Sequence, residues 1–135
     1  MRPVRQIILH YTETQEDIDF DVSEVKEWHL DRGFSDIGYH FLIKLDGEIQ
    51  KGRDLDKIGA HCKTQNSDSI GICYVGGKCA NGTLGDTRTK EQIEAIDLLI
   101  QSLRVIFPKE NLIVLGHNDY STKVCPGYDA KIEHN

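Results

Sequence analysis

The chain has 135 residues, long enough to bury one hydrophobic core, and we expect a single domain over residues 1–135. Hydrophobic residues make up 39% and charged residues 28%, which is an ordinary soluble globular balance. The net charge is −6 and no cluster of lysine or arginine occurs, which argues against a nucleic-acid partner.

The hydropathy of the sequence indicates whether the chain enters a membrane or carries a signal peptide. No apolar stretch approaches the length needed to span a membrane, so we expect no membrane partner. The apolar run near the N-terminus is too short for the core of a signal peptide, and no small-residue cleavage site follows it. We therefore expect synthesis in the cytoplasm without a signal peptide, and we expect a monomer.

The first third of the chain predicts a strand and then a helix. The apolar run 5–10 indicates a buried strand, and a polar loop follows it. Asp21 and Glu24 have the spacing of a capping box, with Asp21 as the N-cap residue. The helix then runs to about Arg32 and stops at Gly33.

The middle of the chain predicts three strands. Residues 39–45 and 48–51 flank Asp46-Gly47, and Asp-Gly between apolar-rich runs is a strong hairpin signal. Residues 53–67 are polar and loop-like. The apolar segment 69–75 predicts another strand.

The last third predicts a long helix, a strand and a short helix. Thr89 and Gln92 form a second capping box, and Pro108 ends the helix. Its predicted buried face comprises Ile93, Ile96, Ile100, Leu103 and Ile106. Residues 112–115 predict the last strand, and a short helix begins near Asp129. This order predicts one α/β domain, with a mixed central β-sheet flanked by helices.

Three residues have the chemistry of a zinc site. His10 ends the first apolar strand, His117 follows the last strand, and Cys125 lies eight residues further on. Two strand ends and one loop can converge on a single point. Two imidazoles and one thiolate leave a fourth tetrahedral position for water, which is the arrangement of catalytic rather than structural zinc.

Tyr39 and Lys123 are candidates for catalytic support. A zinc ion with three protein ligands lowers the pKa of its water to about 7 and polarises a carbonyl, and both actions favour amide hydrolysis. Such a site needs a group near the water and a donor for the oxyanion. Lys123 lies two residues before Cys125, and Tyr39 begins the first strand of the hairpin.

An ordered set of motifs along the chain resembles a known family, the zinc-dependent N-acetylmuramoyl-L-alanine amidases (amidase type 2) of the phage-lysozyme and peptidoglycan-recognition-protein superfamily. The resemblance runs from roughly residue 5 to residue 131. Its segments are Ile7-Ile8-Leu9-His10-Tyr11-Thr12, Trp28-His29-Leu30-Asp31-Arg32-Gly33-Phe34-Ser35-Asp36-Ile37-Gly38-Tyr39-His40-Phe41, Gly59-Ala60-His61, Asn66-Ser67-Asp68-Ser69-Ile70-Gly71-Ile72, Gly116-His117-Asn118-Asp119 and Thr122-Lys123-Val124-Cys125-Pro126-Gly127.

The resemblance implies a full set of roles. It implies Zn²⁺ as cofactor, and peptidoglycan or a muropeptide as substrate. The reaction would be hydrolysis of the amide between N-acetylmuramic acid and L-alanine, in cell-wall lysis or remodelling. It assigns the zinc ligands His10, His117 and Cys125 and the catalytic residues Tyr39 and Lys123. It also implies that His61 and Asn66 are substrate-binding positions. The enzyme would act on the wall after release or delivery by another system, or on muropeptides in the cytoplasm.

Three alternatives stay open. The chain could be a non-catalytic muropeptide-binding module, although such superfamily members typically lack the cysteine ligand that Cys125 would supply. It could be a zinc hydrolase of another peptidoglycan amide bond. It could also be a cysteine hydrolase with Cys125 as nucleophile and His117 as base, which requires a lowered thiol pKa and no metal.

The other histidines and cysteines have simpler interpretations. We exclude His29 and His40 as ligands, because His29 suits local hydrogen bonds on the first helix and His40 should point away from Tyr39. His134 is expected to be solvated at the chain end. Whether Cys62 and Cys79 form a disulfide is left open.

Overall fold

The structure, a computed structural model, describes residues 2–135 and has a mixed five-stranded sheet at its centre. The sheet order is β4-β3-β5-β1-β7. Its strands are β1 (Gln6–Tyr11), β3 (Phe41–Ile43), β4 (Ile49–Lys51), β5 (Ser69–Tyr74) and β7 (Ile113–Gly116). A small parallel pair joins β2 (Thr14–Gln15) to β6 (Gly77–Lys78). The helices are α1 (Val22–Asp31), α2 (Lys90–Ile106) and α3 (Ala130–His134).

Strand β1 lies between two parallel neighbours. Leu9 is opposite Ile72 of β5 on one side and opposite Gly116 of β7 on the other. The three strands therefore deliver their carboxyl ends to the same edge of the sheet. In open α/β sheets this is the edge at which ligands bind. Only the β3–β4 hairpin is antiparallel within the five-stranded sheet.

The two faces of the sheet bury different clusters. On one face, Ile7, Leu9 and Tyr11 of β1 belong to a large apolar core that includes residues of α2 and α3. The opposite face carries a smaller core in which Cys73 of β5 packs with Val25 of α1. Because successive strand residues point to opposite faces, His10 lies on the α1 side. The predicted α/β fold with a mixed sheet flanked by helices is confirmed.

Both predicted capping boxes are present. Asp21 accepts a hydrogen bond from the Glu24 amide at 2.9 Å, and the Glu24 carboxylate accepts one from the Asp21 amide at 3.1 Å. Thr89 and Gln92 make the same reciprocal pair at the start of α2. Predicted element boundaries agree with the structure to within a few residues, and no helix in residues 2–135 is long and apolar enough to cross a bilayer.

The predicted buried face of α2 was partly wrong. Ile93 is 36% exposed and Ile106 is 54% exposed, although Ile96, Ile100 and Leu103 are buried as expected. The true buried stripe also contains Gln92, Ala95 and Leu99. It is rotated toward Gln92, whose amide donates to the carbonyls of Ile43 and Val75. Gln92 is therefore buried in place of Ile93, because its side chain has backbone hydrogen-bond partners that hydropathy does not take into account.

The expectation for His134 was also wrong. His134 is 8% exposed, and its Nε2 lies 2.8 Å from the Tyr128 hydroxyl. Arg88 stacks on the Tyr128 ring at 3.4 Å from its centroid and pairs with Glu133 at 2.6 Å. These contacts fix α3 against the body of the domain. The polar partners of His134 are Tyr128, six residues before it, and Asp97 on α2. The sequence pattern around His134 does not reveal these contacts.

Gln92 gives a stability prediction. Gln92→Ala should lower the free energy of unfolding by about 3 kcal/mol, since it removes the side-chain donor to the buried Val75 carbonyl, one of two donors to the Ile43 carbonyl, and half of a capping box. Gln101→Ala, on the exposed side of the same helix, is the matched control and should change it by less than about 0.5 kcal/mol. Urea unfolding measures both. Equal effects of the two substitutions would show that the Gln92 hydrogen bonds do not stabilise the fold.

Candidate metal centre

His10 lies at the floor of a cleft at the carboxyl edge of β1. It is 1% exposed, and it is paired in register with Cys73 of β5. Its Nδ1 lies 3.9 Å from the Cys125 sulfur, and its Nε2 lies 2.9 Å from Nδ1 of His61. Burial lowers the pKa of His10 well below 6.5, and the neighbouring histidines and Lys123 lower it further. The imidazole is therefore neutral, which is the state that binds a metal.

His117 and Cys125 reach the same point from another direction. His117 begins a single 3-10 turn directly after β7, and its ring centroid lies 4.9 Å from that of His10. The Asn118 amide donates to the Cys125 carbonyl at 2.7 Å, so the two loop segments are tied together. The Tyr11 amide donates to the Cys125 sulfur at 3.3 Å. This contact orients the thiol toward the end of β1.

The three side chains form a compact cluster. One donor atom from each of His10, His117 and Cys125 lies within 4.8 Å of the other two. Tetrahedral zinc, with bonds of about 2.3 Å to sulfur and about 2.0 Å to nitrogen, requires a sulfur–nitrogen distance of roughly 3.6 Å. The 3.9 Å between Cys125 and His10 is close to that value. The donor set and its spacing therefore suit a divalent ion such as zinc.

The electrostatics of the thiol point the same way. Burial raises the pKa of the Cys125 thiol to about 12, although the Tyr11 hydrogen bond and the charge of Lys123 oppose that rise. A thiol with such a pKa is protonated at neutral pH in the absence of a cation. Coordination to a metal is the ordinary way for a buried thiol to ionise.

Tyr39 and Lys123 both line the cleft above this cluster. The Tyr39 ring lies 5.2 Å from the His10 ring and beside the Cys73 thiol. Burial raises the pKa of Tyr39 well above 10, so its hydroxyl stays protonated. Lys123 is exposed at the cleft mouth. Burial lowers the pKa of His117, and the charge of Lys123 lowers it further. One group is thus a neutral hydrogen-bond donor, and the other is an exposed ammonium group.

The two predicted substrate residues occupy the same side of the cleft. Asn66 lines its extension, but its Oδ1 accepts hydrogen bonds from the amides of His61 and Cys62, each at 2.9 Å. Asn66 therefore fixes the loop that carries His61. Nδ1 of the His61 ring faces Nε2 of His10. Reasoning from the sequence did not anticipate this contact, because no spacing rule joins residues 10 and 61.

The remaining histidines make local contacts. Nδ1 of His29 accepts the Gly38 amide at 2.8 Å. Nδ1 of His40 accepts the Gly71 amide at 3.0 Å, and its Nε2 donates to the Lys57 carbonyl at 2.8 Å. All four cysteines are free thiols, so Cys62 and Cys79 are not bridged.

An α/β domain with two histidines and a cysteine converging in a cleft at the strand ends has the form of a metal-dependent hydrolase. Comparison with known proteins gives the particular family. The family model described as "N-acetylmuramoyl-L-alanine amidase" matches residues 1–128. The chain belongs to this family, and the expected peptidoglycan amidase class is confirmed with it.

Individual relatives agree with this assignment. The endolysin of Enterobacteria phage K11 is 38% identical over 126 residues, which cover 93% of this chain and 82% of that protein. A peptidoglycan-recognition protein of Drosophila melanogaster is 35% identical, with 94% of this chain and 70% of that protein covered. Among solved structures, the N-acetylmuramoyl-L-alanine amidase LysC from Clostridium intestinale superposes with a TM-score of 0.79 at 28% identity, covering 98% of this chain and 82% of that one.

The buried histidines give a pH prediction. Burial lowers the pKa of His40 to about 4, from 6.5. Between these values the unfolded chain binds a proton that the folded chain does not, so stability falls as the pH falls through this window. One such group contributes about 1.4 kcal/mol per pH unit, or about 2 kcal/mol between pH 6.5 and 5.

Urea unfolding of the metal-free protein from pH 7 to 5 measures this loss. His40→Asn keeps an acceptor for the Gly71 amide but cannot titrate. As the pH falls, its free energy of unfolding should therefore decrease less steeply than that of the wild type, by about 1.4 kcal/mol per pH unit. Identical slopes for the two proteins would contradict a neutral, buried His40.

Proposed function

We propose that the chain is a zinc-dependent N-acetylmuramoyl-L-alanine amidase, which hydrolyses the amide between the lactyl group of N-acetylmuramic acid and L-alanine. The observation that carries the proposal is the convergence of His10, His117 and Cys125 within 4.8 Å at the floor of a cleft. Membership of the amidase family supports the choice of bond. Phage endolysins and a bacterial amidase among the relatives support catalysis rather than binding alone.

His10, His117 and Cys125 would hold the zinc ion. When bound, the ion would supply Lewis acidity toward the scissile carbonyl and lower the pKa of a water in its open position. The burial of His10 keeps its imidazole neutral and available as a ligand. The cation would in turn favour the thiolate of Cys125, whose pKa burial otherwise raises.

Tyr39 and Lys123 would act on the reacting atoms. Since burial keeps the Tyr39 phenol protonated, its hydroxyl would donate a hydrogen bond that orients the attacking water or the substrate carbonyl. Lys123 would stabilise the negative charge that develops on the carbonyl oxygen in the tetrahedral state. Its exposed position at the cleft mouth leaves the ammonium free to move toward that oxygen.

The cleft extension past Ala60, His61 and Asn66 would take the remainder of the muropeptide. We also propose that the enzyme acts as a monomer. Its place of action would be the cell wall, reached by release or by another delivery system, or muropeptides in the cytoplasm. The endolysins among its relatives favour the wall.

A metal-free cysteine hydrolase is a weaker alternative. A nucleophilic cysteine needs a lowered thiol pKa, but burial raises that of Cys125 to about 12. Chelation that abolishes activity and added zinc that restores it would count against this alternative. The zinc-bound protein should also resist alkylation at Cys125.

Mass spectrometry of purified peptidoglycan after digestion tests the reaction directly. Cleavage at the proposed bond releases stem peptides with a free N-terminal alanine and leaves intact glycan. Activity should vanish with chelator and return with zinc. Binding to peptidoglycan without release of any product would favour the non-catalytic module, and a different new terminus would identify another amide as the substrate bond.

The two supporting residues predict a separation of turnover from metal content. Tyr39→Phe and Lys123→Ala should each lower kcat by a factor of about 100 to 1,000, because each removes one hydrogen-bond donor or cation at the reacting atoms. Zinc content should stay near one ion per chain in both. Lys131→Ala, an exposed lysine on α3, is the charge-matched control and should be unchanged. Loss of zinc in either variant would contradict these roles.

A further inference from the structure

His61 makes a direct contact with the buried His10. Its Nδ1 lies 2.9 Å from Nε2 of His10, and the two rings are nearly perpendicular, at 87°. The other nitrogen of His61, Nε2, lies 3.2 Å from the hydroxyl of Ser69. Both ring nitrogens are therefore engaged within the protein, which leaves none free to bind a substrate.

The arrangement of these nitrogens determines where the protons lie. Nδ1 of His10 faces Cys125, so a metal shared by these two residues requires a lone pair at Nδ1. Neutral His10 then carries its proton on Nε2 and donates it to Nδ1 of His61. His61 in turn carries its proton on Nε2 and donates to the Ser69 hydroxyl, which completes a chain of three side chains.

Two glycines pack closely against the His61 ring. A Cβ at Gly71 would lie 2.6 Å from the ring, and one at Gly59 would lie 2.7 Å from it. Both glycines therefore leave room that any other residue would fill. Asn66 fixes the backbone of the same loop through the His61 amide. The ring thus has little freedom to turn away from His10.

From this geometry we propose that His61 is a positioning residue, which fixes the ring orientation and the Nε2–H tautomer of His10 so that Nδ1 faces the metal. The inference rests on the proposed function, because it assigns a task toward the zinc ion. It differs from the substrate-binding role that the motif resemblance implies for His61. Partners of this kind hold a metal-binding histidine in one tautomer, and their loss typically costs 10- to 100-fold in metal affinity or activity.

Zinc affinity measured by competition with chelators of graded strength tests the proposal without using activity. His61→Leu and His61→Asn form a matched pair of similar shape, and only Asn offers an acceptor near the position of Nδ1. His61→Leu should weaken zinc binding 10- to 100-fold, whereas His61→Asn should stay within about threefold of wild type. Lys63→Ala, an exposed neighbour in the same loop, should leave zinc affinity unchanged.

A second measurement needs no variant. Long-range ¹H–¹⁵N correlation spectra of the metal-free and zinc-loaded wild type should both show His10 protonated on Nε2. Zinc affinity in His61→Leu equal to that of the wild type would overturn the inference while leaving the proposed function intact. A wild type that binds no zinc would overturn both. If His61→Leu fails to fold, a His10 protonated on Nδ1 in the metal-free wild type would overturn the inference.

Discussion

The parallel pairing of β1 with β5 on one side and β7 on the other is the constraint on which the candidate site depends. It sets the carboxyl ends of the strands at one edge and leaves β1 no exposed side. Residues that alternate along β1 then have fixed destinations. Leu9 and Tyr11 enter the large core, and His10 between them enters the cleft. A shift of one residue in register would exchange these destinations.

Burial of the cluster gives its donors their chemical character. In a low-dielectric environment the charged form of each group is disfavoured, so the imidazole of His10 is neutral and the thiol of Cys125 is protonated. A divalent cation reverses this balance for the thiol and uses the lone pair of the imidazole. Lys123 adds positive charge nearby, at the cleft mouth rather than within the cluster. The site thus offers buried donor atoms for a metal ion and, separately, the exposed ammonium group of Lys123.

Much of this architecture could be predicted from the sequence, because its signals are local. The capping boxes at Asp21 and Thr89 and the Asp46-Gly47 turn act over three or four residues, and the structure contains all of them. The convergence of residues 10, 117 and 125 could be anticipated from strand ends and from the motif order. The contact between His10 and His61 could not, since it depends on how a 51-residue separation is closed in three dimensions.

The errors have the same origin. Gln92 and His134 are buried against their hydropathy because polar partners satisfy them. Gln92 donates to the distant carbonyls of Ile43 and Val75, and His134 contacts the Tyr128 hydroxyl, six residues away. Polar burial of this kind depends on tertiary contacts, and a pattern of apolar residues along one helix cannot reveal it. Apolar residues can likewise be exposed where the helical pattern predicts burial. Ile106, at the end of α2, is one example.

X-ray absorption spectroscopy of the zinc-loaded protein tests the central claim most directly, since it counts the atoms around the ion. We predict four ligands: one sulfur at about 2.3 Å, two imidazole nitrogens at about 2.0 Å, and one further oxygen from water. Cys125→Ser should remove the sulfur shell. A spectrum without sulfur, or one with four protein ligands and no water, would contradict the account of a catalytic zinc site at the end of β1.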